Sequence, residues 1–158
     1  MKVKGKVYKT CVQRTMVYGS ETWPMKKEDM QRLERTERMM VRWMCGVSLK
    51  NRISSDELKE RLGIEGIDEI VERGRLRWFG HVERKPGESW VSACRKFEVA
   101  GTKSKGRNKK TWEECVKKDL NCRGLKAEMA QDRSNWRSLI GGKRPTRASM
   151  ENMDVKRK

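Results

Sequence analysis

Apolar residues return at helical intervals along most of this chain, and no stretch shows the apolar/polar alternation of a strand. Val7, Cys11, Val12 and Met16 lie close to that spacing, which predicts a helix over Val7 to Tyr18, ended by the turn sequence Gly19-Ser20-Glu21-Thr22-Trp23-Pro24. From Lys26 the period sharpens. Met30, Leu33, Met40, Val41 and Met44 fall on one face while Lys27, Arg32, Arg35, Arg38 and Arg42 crowd the others, so a long amphipathic helix is predicted, with Gly46 as its left-handed cap. Ser54 with Glu57 three residues on fits a capping box, Leu58 and Leu62 give the following short helix a buried side, and Gly63 ends it. A second strong period runs through Ile67, Ile70, Val71, Gly74, Trp78 and Val82 and stops before Pro86-Gly87. Two helices joined across Gly63 to Gly66 fit both a helix-turn-helix and an ordinary helical hairpin; the base-reading side chains that the first requires are missing.

The apolar pattern fails between Phe97 and Lys110, where Gly101 to Lys110 carries five positive charges and no negative one, the composition of a flexible basic loop. Thr111 and Glu114 resemble another capping box. Trp112, Cys115, Val116 and Leu120 give the next helix its stripe, and Gly124 closes it. Leu125, Met129, Ala130, Trp136, Leu139 and Ile140 form the last patterned stretch, with Asp132 placed to start a helix carrying Trp136. Beyond Gly141-Gly142 the chain is polar and aperiodic, and disorder is expected. The expectation is therefore an all-α fold, a small irregular multi-helix domain with a flexible basic loop and a disordered C-terminal tail. Its segments are 1–24, a helix and turn; 25–96, a helical region; 97–110, the basic linker; 111–140, a helical pair; and 141–158, the tail.

Composition sharpens this picture. Thirty-nine Lys+Arg stand against 22 Asp+Glu in 158 residues, a net charge of +17, while hydrophobic residues make up 35% of the chain. So little apolar material supports only a small core, with six Trp and ten Met supplying bulk. Such a positive field favours polyanions, because each phosphate neutralised by Lys or Arg releases condensed counterions. RNA or DNA is the partner class this implies; the competing reading is a hydrated helical surface. Cys11, Cys45, Cys94, Cys115 and Cys122 are odd in number and lack metal-site spacing, which points to reduced thiols. No apolar run approaches the ~20 residues of a membrane span, and Met1 to Lys6 has no signal-peptide core. No membrane association and a nuclear or cytoplasmic location are expected.

Chemistry is hard to find. Glu28-Asp29, Asp56-Glu57 and Glu113-Glu114 each open a predicted helix, where the helix dipole favours acids without any catalytic role. There is no Tyr-x-Asp-Asp and no Gly-rich Walker loop. His81, the one histidine, is the obligatory partner of any catalytic Ser or Cys, with Cys45 and Cys94 as candidates, but its Trp78-Phe79-Gly80-His81-Val82 setting suits a packed histidine better. Cys115 and Cys122 without a histidine between or after them do not make a zinc knuckle. No enzyme activity, metal or cofactor is expected of this chain. The basic residues are more informative: Arg73, Arg77 and Arg84 recur at helical spacing around Trp78, with Arg75 at an angle to them. Together with Lys103, Lys105, Arg107, Lys109 and Lys110 they form the candidate nucleic-acid site, a fixed patch plus a basic arm suited to backbone contact rather than base reading. Trp43, Trp78, Trp112 and Trp136 are expected as core anchors rather than stacking platforms.

Four phrases occur in order: Val17-Tyr18-Gly19-Ser20-Glu21-Thr22-Trp23, then Arg75-Leu76-Arg77-Trp78-Phe79-Gly80-His81-Val82-Glu83-Arg84, then Gly106-Arg107 through Trp112 to Asp119-Leu120, and Ala130-Gln131-Asp132-Arg133 to Trp136-Arg137. In order and spacing they resemble the region C-terminal to the polymerase domain in reverse transcriptases of non-LTR (LINE-like) retrotransposons, over about residues 7 to 140. Asn108 departs from the pattern, since a proline commonly follows Gly-Arg there. The resemblance implies that a complete relative carries an endonuclease and a polymerase with its catalytic aspartates and Mg²⁺ upstream, and performs target-primed reverse transcription. Val7 to Trp23 then corresponds to the thumb end, and the rest to a region that helps bind element RNA or target DNA. On this reading the chain is expected to be a truncated copy or partial gene product, with the upstream polymerase domain as a further partner. The alternatives are a helical protein–protein interaction module with Met30, Leu33, Met40 and Met44 as its seam, or a non-functional remnant.

Overall fold

The computed structural model describes residues 2–97 and 110–142, apart from the side chains of residues 95 and 96. Among these residues every regular element is helical, so the fold is all-α. The expected loop lies outside the described residues except at its edges, and the expected tail lies outside them beyond Gly142. The chain divides into two compact units, Met1–Gly74 and Arg75–Lys158, and the division falls inside a helix, within the stretch 25–96 that the sequence pattern leaves whole.

In the first unit, α1 (Lys2–Val7) runs through a π turn (Tyr8–Val12) into α2 (Gln13–Met16). The π turn is closed by Gln13 N–H donating to the Tyr8 carbonyl, a five-residue step. That step brings Tyr8 and Gln13 onto the buried side and leaves Val7 and Cys11 exposed, so the face read from a regular 3.6-residue period is displaced. α3 (Lys27–Cys45) is the long amphipathic helix and ends at Gly46 with φ 65°, its cap N–H bonded to the Trp43 carbonyl. The guanidinium of Arg42 secures the chain after this cap by donating to the carbonyls of Ser48, Asn51 and Ile53. α4 (Ser55–Leu62) begins where Ser54 Oγ accepts from Glu57 N–H and stops at Gly63, φ 66°. The core joins Tyr8, Val41, Met44, Leu58, Leu62 and Ile64, with Met40 packed beside them. Met44 is therefore buried within this unit and Met40 is half-buried against its core.

Glu37 lies in the middle of this apolar face at 1% exposure. A buried carboxylate is tolerated only when its charge and lone pairs are met. Here it accepts from Gln13 Nε2 at 3.1 Å and from Ile67 N–H at 3.3 Å, and it pairs with Lys59 at 3.2 Å. One side chain thus links α2, α3, α4 and the first residue of α5 (Ile67–Glu83), where a negative group also complements the helix dipole.

The second unit holds α5 from Arg75 onward, α6 (Trp90–Lys96), α7 (Trp112–Arg123), a 3₁₀ turn (Ala127–Gln131) and α8 (Arg133–Gly141). α6, capped by Ser89 accepting from Ser92 N–H, lies at the end of the 25–96 helical region, past the last individual helix that the sequence pattern predicts there. α7 opens with the complete reciprocal capping box of Thr111 and Glu114 and ends at Gly124 with φ 64°. Asp132 caps α8 by accepting from Ser134 and Asn135 N–H. Leu76, Phe79, Val116, Leu120, Ala130, Trp136 and Ile140 make the core, with Trp112, Leu125 and Met129 packed against it. On α5 the buried stripe is therefore Leu76, Phe79 and Val82, one residue round from the expected Trp78. Of the four tryptophans expected as anchors, Trp136 is buried and Trp112 half-buried, as is Trp78, but Trp43 is 83% exposed.

Candidate nucleic-acid interface

The arginines read as one basic row on α5 have separate local roles. Arg73 pairs with Glu65 within the first unit. Burial works against the Glu65 carboxylate, but the Arg73 hydrogen bond and charge, helped by Lys9 and Arg14, outweigh it and hold its pKa below the usual range. In the second unit, Arg75 Nε donates to Asp119 at 2.6 Å, with both side chains 8% exposed. A polyanion reaches Arg75 only by breaking that buried pair, which takes a charged partner from Asp119. Arg84 Nη1 donates to the Ala130 carbonyl at 2.5 Å. Arg77 alone of the four is fully exposed, one helical turn before exposed His81. His81 is exposed, with its ring 5.4 Å from that of Trp78, so it is a surface histidine in contact with a neighbouring ring and not a core one.

Lys110 is exposed immediately before the Thr111 cap; Lys103, Lys105, Arg107 and Lys109 lie outside the described residues. The structure adds cations that the sequence reading passed over. Lys117 and Lys118 stand on the side of α7 away from Cys115, Val116 and Leu120, and Arg133 and Arg137 stand one turn apart on α8, all four exposed. Their signal was present in the helical period, since each falls outside its helix's apolar stripe. Arg123 differs: it is buried and donates to the carbonyls of Ile140 and Gly142 at the end of α8.

Charge is divided unevenly between the units. Residues 1–74 contain 16 Lys+Arg against 12 Asp+Glu, and residues 75–158 contain 23 against 10, so the formal charges are +4 and +13. The exposed guanidinium and ammonium groups among the described residues suit salt-dependent contact with phosphates. Among the described residues no three or more His, Cys, Asp or Glu side chains are grouped to hold a metal ion. Nor is any described helix long and apolar enough to cross a membrane. All five cysteines are free thiols.

The chain is similar to a transposon-derived protein. A putative uncharacterized transposon-derived protein of Caenorhabditis elegans is 24% identical over 151 residues, covering 88% of this chain and 54% of that protein. The chain thus spans about half the length of this relative, and the likeness supports a transposon-related origin. No family model matches the chain, and no solved structure matches it. The second, third and fourth of the phrases singled out in the sequence meet one another within the second unit. Arg75 of the second pairs with Asp119 of the third; Phe79 of the second lies against Trp112 of the third and Trp136 of the fourth, at ring separations of 6.4 and 6.1 Å. Within the second unit these phrases supply both packing residues and the exposed cations, Arg77 in the second, Lys110, Lys117 and Lys118 in the third, and Arg133 and Arg137 in the fourth.

Proposed function

We propose that this chain is a non-catalytic, nucleic-acid-binding piece of the C-terminal region of a non-LTR retrotransposon RNA-directed DNA polymerase. The observation that carries the reading is the second unit's surplus of charge. Its buried arginines are already satisfied by Asp119 and by backbone carbonyls, whereas Arg77, Lys110, Lys117, Lys118, Arg133 and Arg137 are exposed with no hydrogen bond or ion pair among the described residues. Phosphates are the ligands that such unpaired cations serve, with contacts that position a nucleic acid without reading its bases. Arg77 and Lys110 stay in the site as phosphate contacts, with Lys103, Lys105, Arg107 and Lys109 as the arm. Arg73, Arg75 and Arg84 act through the scaffold. The four phrases and the transposon-derived relative support the parentage, in which target-primed reverse transcription belongs to the parent polymerase.

Fluorescence anisotropy with a labelled RNA or DNA oligonucleotide tests this reading. Affinity falls by orders of magnitude between about 50 and 200 mM salt, with little sequence preference. Absence of binding at low salt, or salt-insensitive binding, rejects it.

A further inference from the structure

The first unit carries less net charge, yet α3 presents a surface that its own fold does not explain. A soluble amphipathic helix normally turns charged or polar side chains outward. The outward face of α3 instead carries Met39 at 72% exposure and Trp43 at 83%, four residues apart and therefore stacked one turn above the other. Arg32 and Arg35 share this face and Arg38 borders it; all three are exposed, and their guanidinium groups have no partner among the described residues. Exposed Glu28 lies on the same face one turn before Arg32, one acid against three cations, and makes no ion pair with them among the described residues; the acids farther along the helix do not add to it. Glu34 is half-buried on another side, and Glu37 is enclosed in the core network.

We infer that this face is a stacking site for unpaired nucleotides, with Trp43 as the platform and Arg32, Arg35 and Arg38 as phosphate contacts. It rests on the proposed nucleic-acid function and adds the form of the ligand, a single strand. Two observations favour that occupant. The unpaired guanidinium groups call for an anionic partner of matching extent: Arg32 to Trp43 spans roughly 16 Å at ~1.5 Å per residue, the length of about five nucleotides at ~3.4 Å each. The apolar part is two side chains set among three cations. That suits a flat base, which stacks on indole through its π face, better than a bilayer or a partner helix, each of which needs a continuous apolar stripe. A duplex keeps its bases stacked on one another and offers Trp43 no such face.

The test compares the full chain with its Trp43→Ala and Trp43→Phe forms in binding a labelled oligothymidylate and a hairpin duplex of equal phosphate number. Trp90→Ala, which removes another exposed tryptophan, is the control. Trp43→Ala weakens single-strand binding by about tenfold or more, Trp43→Phe restores most of it, and duplex affinity stays the same in every form. Because Trp43 makes no core contact, circular dichroism of the variants matches the parent. Equal single-strand affinity for the parent and Trp43→Ala, while the parent still binds, overturns this site and leaves the general function standing. Loss of self-association or of binding to anionic vesicles, with oligonucleotide affinity unchanged, overturns it in favour of a protein or lipid partner. A parent that binds neither oligonucleotide overturns both proposals.

Discussion

The indole Nε1 of Trp136 donates to the carbonyl of Leu76, 3.0 Å away, across the bare backbone of Gly80. A Cβ at position 80 would come within 2.6 Å of Trp136 Cδ1. Two effects oppose each other in Gly80→Ala: about 1 kcal/mol of helix propensity gained, against an overpacking cost of about 1–3 kcal/mol or more. The ring is buried and fixed by its hydrogen bond, so the steric cost dominates. Urea denaturation of Gly80→Ala shows a lower midpoint than the parent; a raised midpoint contradicts this packing.

The Arg75–Asp119 pair should behave as a buried ion pair. Arg75→Met destabilises the chain by about 3–5 kcal/mol, because the buried Asp119 loses its charged partner at 2.6 Å, while Arg75→Met with Asp119→Leu recovers most of the loss. A double-mutant cycle in chemical denaturation measures the coupling. Additive single effects would show that the pair is not coupled.

Acid should weaken both units through identified carboxylates. The Asp132 pKa is lowered by the Ser134 hydroxyl and by the N–H groups of Asn135 and Ser134, and that of Glu65 is lowered as described above. A depressed folded-state pKa gives stability that is present above the unfolded value and lost as pH falls through the folded one. Stability therefore declines as pH drops below about 4. Asp132→Asn keeps a competent helix cap without a titrating group, so it holds neutral-pH stability and shows a shallower acid decline. An identical acid profile in the variant refutes the assignment.

Tyr8 gives the opposite limb. Burial, and then the Glu37 charge, push its phenol up to about 12. A raised pKa means that its contribution is complete below the unfolded value of about 10 and is lost as pH rises through about 12. In Tyr18→Phe, where Tyr8 is the remaining tyrosine, tyrosinate absorbance appears only near the upper value. Titration near 10 with the chain still folded refutes the burial.

Local chemistry was the legible part of this fold. Ser54, Thr111 and Asp132 start helices, and Gly46, Gly63 and Gly124 end them, because a cap depends on residues within one turn of it. Partnerships between distant segments were not legible. Glu37 interrupts an apolar face and is explained only by Gln13, Lys59 and Ile67; Arg75 reads as surface charge until Asp119, 44 residues away, is placed beside it. Periodicity also left a choice on α5, where Trp78 and the Leu76–Phe79–Val82 stripe are each regular, and the approach of Trp136 to Gly80 selects the second. The site was half legible for the same reason. Charge density pointed to a polyanion, but separating exposed cations from structural ones required their partners.

In the proposed function, exposed cations of the second unit hold phosphates. The most direct measurement is the slope of log affinity against log salt for duplex DNA, compared between the parent chain and a variant carrying Arg77→Gln, Lys117→Gln, Lys118→Gln and Arg137→Gln. These side chains are exposed and make no core contact, so helix content is unchanged. The variant is expected to show a shallower slope, by up to about 3.6 for four lost contacts at ~0.9 each, with weaker binding at low salt. Equal slopes and equal affinities in the two proteins would contradict the proposed function.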